Sequence, residues 1–146
     1  MGELKSAAHT RYSLWYHIVW IVKYRKELIS GKARRDKLVE ILRGIGERYW
    51  FEIERVGIEG NHVHVFMGAA PRYSPAHVVK ILKSISAREM FRAFPEMQDQ
   101  LWGGELWGDG YFVRSVGDKV TEEVIRKYIV RHNQEVGRTP EQLELF

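Results

Sequence analysis

The stretch Glu59-Gly60-Asn61-His62-Val63-His64-Val65-Phe66-Met67 decides how this chain folds. Side chains two residues apart on a strand share a face, so Val63, Val65 and Met67 line one side while His62 and His64 stand together on the other. Upstream, Phe51, Ile53, Arg55 and Gly57 lead toward it through Gly60-Asn61, a pair that tight hairpin turns favour because both residues tolerate positive φ. The expectation is an antiparallel hairpin whose second strand presents two imidazoles. That spacing makes half of a metal site, and it is equally compatible with a solvated polar strand face.

Outward from this hairpin the chain alternates strands and helices. Residues 12–24 are crowded with β-branched and aromatic side chains, among them Trp15, Tyr16, Ile18, Val19, Trp20, Ile21 and Val22, and read as one long, mostly buried strand. Leu38, Ile41, Leu42, Ile45 and Tyr49 recur at helical spacing between charged residues, predicting an amphipathic helix over 33–49. After the turn-rich 71–75, Ser74 can cap a second helix with Pro75 at its first position, carried by Val78, Leu82 and Ile85 toward Phe94. Pro95 ends it. Residues 97–110, rich in glycine and containing Trp102 and Trp107, read as a loop that can order itself around the two indoles. Residues 111–116 read as a fourth strand, with Gly117-Asp118 turning out of it, and Thr121 can cap a last helix whose Glu122 and Glu123 complement the helix dipole.

Short connections and a right-handed crossover turn this order into an α+β fold: a ferredoxin-like (RRM-like) split β-α-β sandwich. Helices pack on an antiparallel sheet, and an additional C-terminal helix follows. One domain is expected over residues 1–146, with about 133–146 as a C-terminal tail. The chain has no cysteine, which excludes a thiolate zinc site and a cysteine nucleophile and suits a reducing compartment. The first residues carry no secretory core, and the apolar run 14–22 is too short to span a bilayer, so a soluble, cytoplasmic protein with no membrane partner is expected. A net charge of +4 permits a phosphate-bearing partner without requiring one.

On the last helix Val124, Tyr128 and His132 fall at i, i+4 and i+8 and form one stripe. A tyrosine hydroxyl, with its pKa near about 10, attacks an electrophile readily only when a metal polarises that electrophile or a base stands nearby. A packed tyrosine that merely anchors its helix is the plain alternative. Two strand histidines plus a third on a packed helix would leave positions open for water and a phosphate oxygen, which is a catalytic layout. His9, His17 and His77 are spare candidates of a kind more often structural or solvated. Lys23, Arg25 and Lys26, then Lys32, Arg34 and Arg35, then Lys80 and Lys83 form basic clusters. Interleaved with Tyr24, Tyr73, Trp102 and Trp107, they supply the materials for a single-strand nucleic-acid groove, although each cluster alone is most often a solvated face.

In order along the chain, these residues resemble the HUH transposases with a single catalytic tyrosine, encoded by very small bacterial and archaeal insertion sequences. The landmarks are His17-Ile18-Val19-Trp20 leading to Lys23-Tyr24-Arg25, then Asn61-His62-Val63-His64, and next the segment 79–88 with Leu82-Lys83 and Ser86. The approach from Trp107 to Tyr111-Phe112-Val113 and the pair Tyr128-Ile129 complete the set. The resemblance implies a metal-dependent enzyme that cuts and rejoins single-stranded DNA at hairpin-marked element ends. It implies His62 and His64 as ligands for magnesium or manganese, and Tyr128 as the nucleophile that forms a 5′-phosphotyrosine link and frees a 3′-hydroxyl. A homodimer is implied too, with the tyrosine helix of one subunit completing the histidine site of the other.

Two positions depart from the family pattern. Members commonly carry glutamine one helical turn after the tyrosine as third ligand, where this chain has His132; histidine ligates through nitrogen and moves the preference toward manganese or another transition metal. Aspartate often precedes the first histidine, where this chain has Asn61, which suits the turn but weakens any role in holding that histidine. Lys23, Arg25, Lys80 and Lys83 are the candidate DNA contacts. Two other functions compete: a non-catalytic single-strand-binding module on the same fold, whose usual aromatic signature is missing here, and a metal-dependent hydrolase using water as nucleophile.

Overall fold

The computed structural model describes residues 5–7 and 10–116. A short antiparallel hairpin, β1 (Lys5–Ala7) and β2 (Thr10–Tyr12), precedes β3 (Trp15–Ile21), a single 3-10 turn (Lys23–Arg25) and α1 (Lys32–Tyr49). Then come β4 (Glu52–Glu59), β5 (His62–Gly68), α2 (Pro75–Ala93), the short α3 (Glu96–Gln100) and β6 (Phe112–Ser115). Four strands form one antiparallel sheet in the order β4-β5-β3-β6. With α1 and α2 as crossovers this is the expected split β-α-β arrangement. The helix expected from Thr121 and the tail over 133–146 lie outside the described residues.

Alternation sorts the strands by face. Val63, Val65 and Met67 of β5 and Ile18 and Trp20 of β3 share a core with Leu38, Leu42 and Ile45 of α1 and Val78, Val79, Leu82 and Ile85 of α2. Fully burying one such side chain contributes about 1.5–3 kcal/mol, so a one-residue slip of β5, which would turn its valines out and its histidines in, is strongly disfavoured. The opposite face carries Trp15, His17, Val19, His62 and Phe66, all buried, and half-buried His64. Buried on both faces, β3 shows no polar alternation, which is why its sequence reads as continuously apolar.

Helix ends follow local chemistry. Ser74 Oγ accepts from the backbone N–H of His77 at 3.1 Å, with Pro75 at the first position of α2, as the sequence predicts. At the far end of α1 the chain turns through Trp50 in the left-handed conformation (φ 62°).

Four expectations change. The long strand over 12–24 is a shorter β3, because Tyr24 and Arg25 adopt positive φ and end it in the 3-10 turn. Inside the stretch expected to be loop, the residues after Pro95 close one turn of helix as α3. Of the two indoles, Trp107 is buried and Trp102 is 75 % exposed, so the loop orders around one ring. The hairpin at Gly60-Asn61 forms, but neither residue has positive φ. Glycine leaves room there instead: the ends of the Glu27 and Ser30 side chains occupy the space a Cβ at Gly60 would take, and a larger residue would displace them. The turn is held from the same side, where Ile29 N donates to Gly60 O at 3.1 Å and Val22 N to Asn61 O at 2.9 Å.

Candidate active site

Strand register fixes where the two histidines stand. His62 lies between Ile21 of β3 and Glu59 of β4, and His64 between Val19 and Gly57. Their rings lie face to face at 24°, with centroids 5.9 Å apart, because a strand repeat of two residues brings both to one face. The pair sits on an inner strand, near the end of the sheet where β5 begins, on the face away from α1 and α2.

Asn61 orients the first ring. Its side chain is buried, and its Oδ1 lies 3.0 Å from His62 Nδ1. An amide oxygen only accepts, so this partner assigns the proton to Nδ1 and leaves the lone pair on Nε2, the arrangement a metal-ligating histidine needs. The neutral amide therefore does the orienting that a carboxylate does elsewhere, without adding charge. Burial, and after it the neighbouring His64, together push the His62 imidazole from 6.5 down to about 3. His62 is thus a neutral nitrogen donor throughout the physiological range.

That shift makes a stability prediction for the metal-free chain. The unfolded chain takes up the His62 proton below its ordinary pKa of 6.5, whereas the folded chain does not until near 3. Stability therefore falls as pH drops through this window. Acidification from about pH 6.5 to about pH 5 is expected to cost about 2 kcal/mol through this residue. Urea unfolding of the parent and His62→Gln at both pH values checks it, and an unchanged pH slope in the variant would show that another group is responsible.

Gly57 makes room for the second ring. A Cβ at this position would overlap Nε2, Cε1 and Cδ2 of His64, so the imidazole lies directly over the glycine of the neighbouring strand. Sequence reasoning passed over this residue. Its signal was available: glycine inside a strand often marks close approach of another group.

The donor set fits a divalent transition metal in part: two imidazoles on one face, one held neutral with its lone pair set by a neighbour. Among the described residues no cluster of three histidine, aspartate or glutamate side chains is placed to hold a metal. Tyr128, His132 and His9 lie outside the described residues. His17 shares the histidine face two rows along, buried and stacked on Phe66 with centroids 4.8 Å apart, and His77 is exposed in the first turn of α2.

The basic candidates gather at one side of the fold. Lys83 Nζ donates to Gly108 O at 2.8 Å and to Gly110 O at 3.0 Å, tying α2 to the loop before β6. Burial lowers its pKa, opposed by Asp109 and Glu105 and reinforced by Lys23. Lys23 lies 3.9 Å from both Glu105 and Asp109, Arg25 follows in the same turn, and Lys80 is exposed on α2. Lys80 and Lys83 line a groove of about 680 Å³ between α2 and this loop, floored by Val79, Phe91 and Trp107. Trp107 itself is structural: its indole N–H donates to Ser86 Oγ at 3.0 Å, and its ring meets Trp20 edge-on.

With this geometry in hand, relatives are informative. Residues 10–132 match the family described as IS200-like transposases. The ISDra2 transposase TnpA of Deinococcus radiodurans is 37 % identical over 134 residues, covering 91 % of this chain and 94 % of that protein. The transposase for insertion sequence element IS200 of Salmonella typhimurium is 32 % identical over 147 residues, covering 99 % of this chain and 93 % of that protein. A crystal structure of a candidate transposase from Deinococcus radiodurans R1 superposes with a TM-score of 0.76 at 36 % identity, covering 89 % of this chain and 97 % of that one. Matched nearly end to end in sequence and in fold, the chain belongs to the IS200-like transposase family.

Proposed function

We propose that this transposase cuts and rejoins single-stranded DNA at hairpin-marked element ends, using Tyr128 as nucleophile and His62, His64 and His132 to hold magnesium or manganese. The reading is supported above all by the histidine pair: two adjacent imidazoles on one sheet face, with His62 kept neutral and its Nε2 lone pair set by Asn61. A divalent ion held by His62 and His64 would supply Lewis-acid polarisation of the scissile phosphate. The Tyr128 oxygen attacks phosphorus, the bond from phosphorus to the 3′ oxygen breaks, and the tyrosine's proton is balanced by the one the departing 3′-hydroxyl gains. The phosphotyrosine ester conserves the phosphodiester bond, so a 3′-hydroxyl can reseal it with no nucleotide cofactor. His62 and His64 orient the phosphate in this scheme, and burial of the sheet face around them strengthens every charge interaction made there.

In the homodimer that the family resemblance implies, Tyr128 of one subunit stands beside His62 and His64 of the partner subunit. Mixing Tyr128→Phe with His64→Ala protein is the check on that arrangement, because heterodimers with one intact composite site regain activity only if the tyrosine acts across subunits.

The reading as a whole is tested by incubating the chain with manganese and a labelled single-stranded oligonucleotide carrying a hairpin end. A protein–DNA adduct mapping to Tyr128 is expected, and Tyr128→Phe should bind the hairpin with unchanged affinity yet form none. Adduct persisting in Tyr128→Phe, or cleaved products with a plain 5′-phosphate and no attached protein, would overturn it.

A further inference from the structure

Two surface rings belong neither to the core nor to the histidine pair. Tyr24 is 63 % exposed and Trp102 75 % exposed, and although they are far apart in sequence their centroids lie 5.4 Å apart, edge to face. Backbone pairing brings them together: Lys23 N donates to Leu106 O at 2.8 Å, and Val22 forms a β-bridge with Trp107. Both rings sit on backbone in the left-handed region, φ 59° at Tyr24 and 54° at Trp102. Bulky side chains rarely adopt that conformation, and such strain concentrates at binding sites.

Cations surround the pair. Lys26 Nζ stands 4.0 Å from the Trp102 centroid and donates to Gln100 O at 2.5 Å, which anchors one face of the indole. The exposure of the ring leaves its other face to solvent. Lys23 Nζ lies 5.8 Å from the Tyr24 centroid, and Arg25 completes the basic run. Exposed π-faces with cations beside them are the composition of a single-strand nucleic-acid site, where rings stack on bases and cations meet phosphates. Paired DNA offers no such partner, because its base faces are already stacked.

Position links the rings to the histidines. Ile21 is the cross-strand neighbour of His62, and the three residues from Ile21 to Tyr24 span at most about 11 Å. The rings therefore stand at the end of the sheet that carries His62.

We propose that Tyr24 and Trp102 form a stacking platform for an unpaired base of single-stranded DNA beside the histidine pair, with Lys26 fixing the indole. The platform rests on the reading of the chain as a single-strand transposase, and it adds a site that selects unpaired DNA near the cut. Glu105 and Asp109 lie 3.9 Å from Lys23 and offset part of its charge, so the rings rather than Lys23 supply the main hold of the platform on DNA.

The test uses the full chain and two fluorescent DNAs, a hairpin with an unpaired tail and the same hairpin without it, titrated by anisotropy. Trp102→Ala is expected to weaken binding of the tailed DNA about tenfold or more, Trp102→Phe to retain most affinity, and Tyr24→Ala to lose less than Trp102→Ala. None should change affinity for the tail-less hairpin. Parent-like binding of tailed DNA by Trp102→Ala, or an equal loss on both DNAs, overturns the platform. Adduct formation by the parent chain is scored separately at saturating DNA. Its absence overturns the strand-transfer reading, while the comparison of tailed with tail-less DNA still reads the platform.

Discussion

His64→Ala is expected to abolish manganese-dependent cleavage of single-stranded DNA, and His62→Ala to do the same, while both proteins keep their affinity for hairpin DNA. Each substitution removes one of two nitrogen donors held on the same sheet face, and a chelating pair reduced to one imidazole loses most of its hold on the ion. Losing an outer partner of a ligand typically lowers metal affinity about 10–100-fold, so loss of a ligand itself should exceed about 100-fold. Manganese titration by calorimetry gives the affinity, and gel analysis of labelled DNA gives the cleavage. The two variants should differ in stability. His62 is buried beside Asn61, so His62→Ala leaves a cavity and an amide oxygen without its donor, whereas half-buried His64 leaves less behind. Cleavage retained by either variant would remove the histidine pair from the mechanism.

Gly57→Ala is expected to lower manganese affinity about 10–100-fold without destabilising the fold. The added methyl would occupy the space of the His64 ring, with Nε2 and Cε1 as the nearest atoms, so the imidazole must leave its place over β4. Gly57 does not adopt positive φ, and alanine in place of a strand glycine is favourable by about 0.5–1 kcal/mol on backbone entropy. Affinity and stability therefore move in opposite directions, which separates displacement of a ligand from general damage. A thermal melt of the metal-free protein paired with manganese titration reads both, and unchanged affinity in Gly57→Ala would show that the His64 position seen here is not the one that binds metal.

Much of the frame was legible because it depends on local chemistry. Ser74 and Pro75 start α2 whatever packs against it, since the cap is made to a backbone N–H three residues away. Alternation of valines and histidines over 62–67 sets which side faces the helices, because burial of three apolar side chains outweighs any other register. The family was readable for a related reason: its landmarks are short ordered segments, and each is recognised in place. Other features were read amiss where a residue type serves several ends. Gly60 looked like a positive-φ turn residue and is instead a point of close approach, which depends on Glu27 and Ser30 from a distant loop.

The sequence by itself determined the order of the four sheet strands and the two long helices and the split β-α-β class, because periodicity and spacing are properties of neighbours along the chain, and its ordered landmarks resemble the transposase family and single out His62, His64, Tyr128 and His132 as candidates. Only the tertiary structure decided what surrounds the histidine pair. It set Asn61 Oδ1 against His62 Nδ1, laid the His64 ring over Gly57, gave Lys83 to the carbonyls of Gly108 and Gly110, and joined Tyr24 to Trp102. All but the first of these contacts join residues brought together by strand register or loop pairing. The first depends on the rotamers that burial imposes on adjacent side chains. Neither register nor burial is written in any one segment.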